Sequence, residues 1–464
     1  MKNTNSPIVD DLVRMIEGND KVTVKTLMVQ HSPIYVIYIA SICNVNKIQE
    51  FIVKPLLDLN LEKSKETPVI QQLPLDHVVK VGQSDQMMRN ILNGFTLLIE
   101  NGNFYVVNTT KFSIRQVQEP VTEVTLRGAR DGFIESMEQN ISMLRMHLRT
   151  NDLTFQEFTI GQKAFTNVSV AYLKNEANPE LVQEVIKRVE NIQSDYISDG
   201  GVVEQLIENN PHSLFPEVHE TERPTKVSNS LVEGRVAIFV DGSPSVIIAP
   251  ATLNALFHST DDYNFKWIPA SMIRILRYFA AFISVILPAV YISLISFHHG
   301  LIPTDLAMSI SKTREGVPIP SFMEALLMEL TIEVLREAGV RLPKPIGPAV
   351  SIVGAIVLGE AAVTAGIVSP LMVIVVAFSA ICSFTVADYA LSLALRTLRF
   401  FLLLSAAVLG IYGLILAVFL LSIHLTRFRS FNIPYLEPYA PYYHKRWKDS
   451  LIRFKFKKRG GQSE

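Results

Sequence analysis

The sequence predicts an α/β cytoplasmic N-terminal region of two subdomains, followed by an α-helical transmembrane domain of about four spans plus an amphipathic helix. Three observations carry this expectation. Strand and helix patterns alternate up to Phe265, long apolar segments follow Trp267, and one of those segments holds a single charge, Glu360, at its middle. That segment, Ile346–Val368, is long enough for a bilayer core, which needs ~20 helical residues. A carboxylate at such depth costs about 2.5–3.5 kcal/mol on insertion scales, so it needs a protein partner or a water-filled path.

The composition fits a soluble part joined to a membrane part: 464 residues, 48% hydrophobic, mean hydropathy +0.26 and net charge −1. Cys43 and Cys382 lie in different halves, which excludes a disulfide framework or a close-spaced cysteine metal site. The opening residues, MKNTNSPIVDDLVRMIEGND, lack the apolar core of a signal peptide, so the first half is expected in the cytoplasm.

Residues 1–20 read as a mobile lead-in and 21–118 as the first α/β subdomain. In it, Ile34–Ile39 is a β-branched and aromatic run suited to a buried strand. Asn44–Leu59 carries Val45, Ile48, Ile52, Leu56 and Leu59 at helical spacing. Phe95–Glu100 and Phe104–Asn108 flank a hairpin signal, Asn101-Gly102-Asn103. The second subdomain is 119–265. It reads as a helix over Phe133–Arg149, strands at Phe155–Ile160 and Val168–Tyr172, and a helix over Pro179–Ser194. Strands at Val236–Val240 and Val246–Ala249 then enclose a turn. Arg127, Arg130, Glu222 and Arg223 lie on loops, where a domain-orienting salt bridge is the simpler reading.

The membrane domain is expected over 266–425, with spans near 278–297, 346–368, 371–395 and 400–425. Lys266, Arg274 and Arg277 flank the first span. A basic tail, 426–464, follows the last and suits anchoring on an anionic leaflet better than nucleic-acid binding. Basic flanks at both ends put both in the cytoplasm and require an even number of crossings. Arg396 and Arg399, in the short third loop, would then break the charge rule.

Ser321–Ala338 is amphipathic. At about 100° per residue, Glu329, Glu333 and Glu337 share one face, and Glu324 falls among apolar positions. Such a helix can lie in the interface, enter the membrane or line a polar cavity. In a ring of subunits its acidic face becomes a ring of carboxylates that attracts cations. Gly347, Ser351, Ala355 and Gly359, four apart, form a ridge for close helix packing. For Glu360 and Asp388, permeation or gating and structural pairing both stand open, with Arg396 a same-face partner for Asp388. No phosphate-loop, dinucleotide, zinc-protease or nucleophile-elbow motif occurs, and the adjacent His298 and His299 point to different faces. An enzyme, a cofactor and a metal centre are therefore not expected.

Several blocks resemble the A subunits of the GerA-type spore germinant receptors: RGARDGF from Arg127, SLFPEVHETERP from Ser213 and EGRVAIFVDGSP from Glu233. REAGVRLPKPIGPAVSIVGAIVLGEAAVTAGIVSP from Arg336 and MVIVVAFSAICSF from Met372 do so too. The resemblance implies a two-part cytoplasmic domain and a membrane domain in the spore inner membrane. It implies a transporter-like B subunit and a lipoprotein C subunit as partners, and a homo-oligomeric ring of A subunits that conducts ions when nutrient is present. Ala129, where the family commonly has proline, and Thr225, where it commonly has aspartate, depart from the pattern. A secondary transporter is the rival class, although no internal repeat is visible. An A-like protein beside other spore channels, and a purely structural scaffold, are further alternatives.

Overall fold

The computed structural model describes residues 22–29, 32–40, 42–58, 70, 73–74, 78–82, 87, 90–91, 94–110, 120, 123, 125, 127–163, 165–342, 347–442 and 449–453; of 347–353 and 355 it describes the backbone only. The lead-in 1–20, the boundary at Glu119 and most basic residues of the tail (Lys445, Arg446, Lys448, Lys455, Lys457, Lys458, Arg459) lie outside the described residues. The chain divides into two compact units, Met1–Asn209 with Glu220–Pro250, and Asn210–His219 with Ala251–Glu464.

The first unit holds two five-stranded sheets. In the first, β1 (Val22–Val29), β2 (Ser32–Ile39), β3 (Val78–Val81), β4 (Phe95–Glu100) and β5 (Asn103–Asn108) take the order β1-β2-β4-β5-β3. All of Ile34–Ile39 is buried, which is why that run shows no polar alternation. β4 and β5 close across Asn101-Gly102 with Glu100 opposite Asn103. Asn44 caps the helical run at its back by accepting from the Lys47 amide, and Ile48, Ile52 and Leu56 are buried in the same core as β2. Each such side chain contributes about 1.5–3 kcal/mol when fully buried.

The second sheet follows α1 (Met137–His147). It contains β6 (Leu153–Ile160), β7 (Thr166–Leu173), β8 (His219–Thr221), β9 (Val236–Val240) and β10 (Val246–Ala249) in the order β6-β7-β9-β10-β8. Helices α2 (Pro179–Glu190), α3 (Gly200–Ile207) and α4 (Pro224–Val232) interleave with the strands. The helix expected from Phe133 starts only at Met137, because the Phe133 amide donates to Glu222 O at 2.8 Å and that of Ile134 to Asn140 Oδ1 at 2.8 Å. α2 stops at Glu190 rather than Ser194, whose carbonyl accepts from the Gln162 amide. Arg223 is buried and donates to backbone carbonyls, Glu123 O at 2.8 Å and Ala129 O at 3.0 Å. It therefore ties two loops together within this unit. The acceptor at residue 129 is a main-chain oxygen, so alanine there keeps it.

The second unit is helical: α5 (Trp267–Ser296), α6 (Thr304–Arg314), α7 (Ser321–Arg341), α8 (Gly347–Thr364), α9 (Pro370–Ser383) and α10 (Tyr389–Arg427), ending in a two-stranded pair, β11 (Arg429–Ser430) and β12 (Ile433–Pro434). Among the described residues α5 and α10 are the two helices long and apolar enough to cross a membrane. They expose large apolar side chains, including Phe279, Phe282, Phe401, Leu416 and Phe419.

The breaks between helices fall elsewhere than expected. The segment 371–395 is cut, because α9 ends at Ser383 and Asp388 caps α10 by accepting from the Leu391 amide at 2.7 Å. Arg396 and Arg399 lie inside α10, and no loop separates them from Asp388's helix. Instead α10 turns back at Gly410, whose φ of 61° and ψ of −140° are not helical. A Cβ there would lie 2.9 Å from Phe297, at the far end of α5, and one on Gly413 would run into Ser405 O. Consequently Leu391 and Leu414, on opposite arms of α10, share one core with Phe257 and Ala281.

Contacts give the direction of the other helices. Ser321, at the start of α7, meets Ser296 at 2.6 Å, whereas Arg336 reaches Ser383 at 3.3 Å. Thus α7 runs back along α5; one face, with Ala325 and Met328, is buried, while Met323, Leu327, Leu330 and Val334 stay exposed on the other. α8 returns against it, with Gly354 at Leu335, and the Ser369 amide before α9 donates to Glu324 at 2.9 Å.

Arg274 and Arg277 do not face an outer surface. Both are buried on Asp262: Arg277 spans its two carboxylate oxygens at 3.0 Å each, and Arg274 Nε approaches at 3.3 Å. Arg274 Nη1 also donates to Asp449 O at 2.9 Å and Ser450 O at 3.0 Å, and the Arg453 amide donates to Ser271 Oγ at 3.0 Å. The segment after α10 is thereby bound to the first turns of α5.

Two outcomes are expected. Gly410→Ala forces a side chain into a backbone region reserved for glycine, costing on the order of 1–3 kcal/mol; thermal unfolding of the purified chain should show it, with Val408→Ala as the neutral control. Burial raises the Asp262 carboxyl, but the hydrogen bond and charge of Arg277, with Arg274, outweigh it and leave the group below its ordinary range. A depressed carboxylate contributes stability above its unfolded value of about 3.9 and loses it as pH falls through the folded value. Wild type and Asp262→Asn should therefore differ in stability near neutral pH and converge on acidification below about pH 4, measured by parallel acid titrations.

Candidate functional site

The sequence-derived carboxylates of α7 each meet an arginine. Glu329, 4% exposed at its side chain, pairs with Arg399, 3% exposed, at 2.6 Å. Glu333 pairs with Arg396 at 2.7 Å and with Arg336 at 3.4 Å. Glu337 pairs with Arg341 one turn on, at the exposed end of the helix. Glu324 is fully buried and pairs with Arg314 of α6 at 2.7 Å. Its position among apolar residues is thereby explained: one carboxylate oxygen holds a guanidinium and the other takes the Ser369 amide.

Helix geometry produces the central match. Residues four apart on α7, Glu329 and Glu333, face residues three apart on α10, Arg399 and Arg396, as the two helices run in opposite directions. Ser379 of α9 donates to Glu329 at 3.5 Å, and Phe384 lies 4.7 Å from the Arg336 guanidinium. Three guanidinium groups thus surround two carboxylates. Arg399 Nε and Nη2 are buried without hydrogen-bond partners among the described residues. Glu329, Glu333 and Glu337 thus each have a compensating arginine within the same chain.

Asp388 is not paired with Arg396. It meets His219 at 2.6 Å, both side chains being buried, besides capping α10. Glu360 differs from all of these. It is exposed on α8 beside the exposed Ile356, Val357 and Leu358, and it has no ion-pair partner among the described residues. Gly359 is buried, and a Cβ there would lie 3.7 Å from Val373 of α9 in the same chain. Gly347, Ser351 and Ala355 are helical, but their side-chain surroundings lie outside what is described. No cluster of three metal-ligating side chains occurs among the described residues.

Arg314, Arg396, Arg399 and His219 were not read as site residues from sequence. A usable signal existed for two of them: Tyr389–Leu409 contains no helix breaker, so Arg396 and Arg399 belong on one face of one helix.

Comparison with known proteins gives consistent relatives. The chain is 41% identical to spore germination protein A1 of Bacillus subtilis (strain 168), over 96% of this chain and 92% of that one. It is 42% identical to spore germination protein KA of the same organism, over 91% and 79%. Among solved structures, the N-terminal domain of the A subunit of the Bacillus megaterium spore germinant receptor GerK3 aligns at 26% identity and a TM-score of 0.40, over 55% of this chain and 97% of that domain. The family model described as Bacillus/Clostridium GerA spore germination protein matches residues 10–463, and the chain belongs to that family.

Proposed function

We propose that this chain is the A subunit of a spore nutrient receptor, acting as an ion-conducting subunit in a homo-oligomer whose opening triggers germination. The observation that carries the reading is Glu360, a solvent-accessible carboxylate amid exposed apolar side chains on α8. Facing lipid, it would cost about 2.5–3.5 kcal/mol; facing a shared axis, it would stand beside its copies in a water-filled path. The family and its relatives, named as spore germination proteins, support germination as the setting.

In this reading Glu360 is the pore candidate, and Glu329, Glu333 and Glu324 are structural, holding α7 to α10, α9 and α6. Asp388 fixes the start of α10 through His219. Gly354 and Gly359 stand close to Leu335 and Val373 of the same chain, and the reading takes Gly347, Ser351, Ala355 and Gly359 as a packing face. The reading places the chain in the spore inner membrane beside a transporter-like B subunit and a lipoprotein C subunit. The contacts of Arg274 with Asp449 and Ser450 support both flanks lying on one side of the membrane, which the reading takes to be the cytoplasmic one.

Glu360→Gln tests the proposal, because glutamine keeps the volume and removes the charge. The expected result is normal abundance and oligomer size in mild detergent, with nutrient-triggered cation release per complex changed roughly tenfold, the equivalent of about 1.4 kcal/mol of ion stabilisation. Unchanged release from a normally abundant variant would remove Glu360 from the path. A monomer in mild detergent would remove the ring.

A further inference from the structure

A cavity of about 350 Å³ opens at the Ser296 end of α5, between that end, α6 and the start of α7. Ile295, Ile302 and Ile310 supply apolar lining. Ser296, Ser311, Ser321, Arg314 and His299 complete the lining. Among the described residues no carboxylate lines it. Arg314 Nη2 pairs with Glu324 at 2.7 Å, its Nη1 is shielded from solvent, and 18% of the side chain stays exposed. A partly exposed arginine, three serines, two of them bonded to each other at 2.6 Å, and neighbouring isoleucines make a polar pocket at the small end of the usual ligand-site range.

We propose that this cavity binds a small oxyanion, a carboxylate or phosphate group, on Arg314. Guanidinium matches such groups with paired, charge-assisted hydrogen bonds. The consequence reaches further, because an oxyanion competes with Glu324 for the same guanidinium. Glu324 also holds the Ser369 amide at the start of α9 at 2.9 Å. Occupancy therefore weakens one of the two contacts that bind Glu324 in place and changes how α6, α7 and α9 are held together. The inference is independent of ion conduction. The oxyanion can be free in solution or part of a lipid headgroup, and the test separates these sources.

The full chain is reconstituted in nanodiscs of digalactosyldiacylglycerol, which has no phosphate. It is then titrated with sodium acetate or inorganic phosphate, against sodium chloride at equal ionic strength. Amide hydrogen exchange over Thr304–Arg314 reads occupancy. A free-anion site gives saturable slowing, about fivefold at four times Kd, with acetate or phosphate and none with chloride. A lipid site gives that protection in phosphatidylglycerol nanodiscs without added anion, with no further gain from acetate. In either case protection should vanish in the double variant Arg314→Gln, Glu324→Gln, which strands no buried charge, and in Ile310→Trp, which fills the cavity and alters no charge. Absence of protection under every condition, with acetate, with phosphate and in phosphatidylglycerol alike, or full protection in the two variants, overturns the proposal.

Discussion

An ionised side chain cannot remain unpaired inside an apolar helix bundle, and the contact of Glu329 with Arg399 shows how this chain meets that constraint. Removing two charges from water carries a penalty of several kcal/mol per ion, which is recovered only with close geometry and additional hydrogen bonds. At 2.6 Å, with Ser379 of α9 a further 3.5 Å contact, the pair ties α7 and α10 together. The pairs Glu333–Arg396 and Glu324–Arg314 repeat the device toward either end of α7. Helix α7 is thereby tied to α6, α9 and α10 through its charged side chains.

The same rule operates at the base of α5. Asp262 neutralises Arg277 and shares Arg274 with the segment at Asp449, so the chain's last described residues are fastened to the start of its first long apolar helix. A charge that would otherwise mark a membrane flank becomes part of a joint. Glu360, by contrast, has no such partner among the described residues, which is why a functional reading concentrates on it.

The soluble strands were legible because they are buried runs of β-branched and aromatic residues: Ile34–Ile39 and Val236–Val240 announce themselves without partners. The helix starts with side-chain caps, Asn44 and Asn178, were equally readable. The membrane region was less so, because hydropathy treats a charge as the end of a span. Arg396 and Arg399 looked like a loop, although their compensating carboxylates lie more than sixty residues away on α7. Asp388 looked like a buried charge within a span, but it is a cap at a break. Gly410 gave no warning, since glycine is common in membrane helices and the turn depends on the close approach of Phe297. Pairing across the fold, invisible to a local pattern, decided each of these positions.

The claim that buried pairing organises the bundle is tested most directly by a double-mutant cycle on Glu329 and Arg399, reading thermal or denaturant stability of the purified chain. Glu329→Gln and Arg399→Met each strand one buried partner and should cost about 3–5 kcal/mol. The double variant strands neither and should cost clearly less than the sum of the two, a coupling above about 2 kcal/mol. Additive losses, or single variants as stable as wild type, would contradict the account.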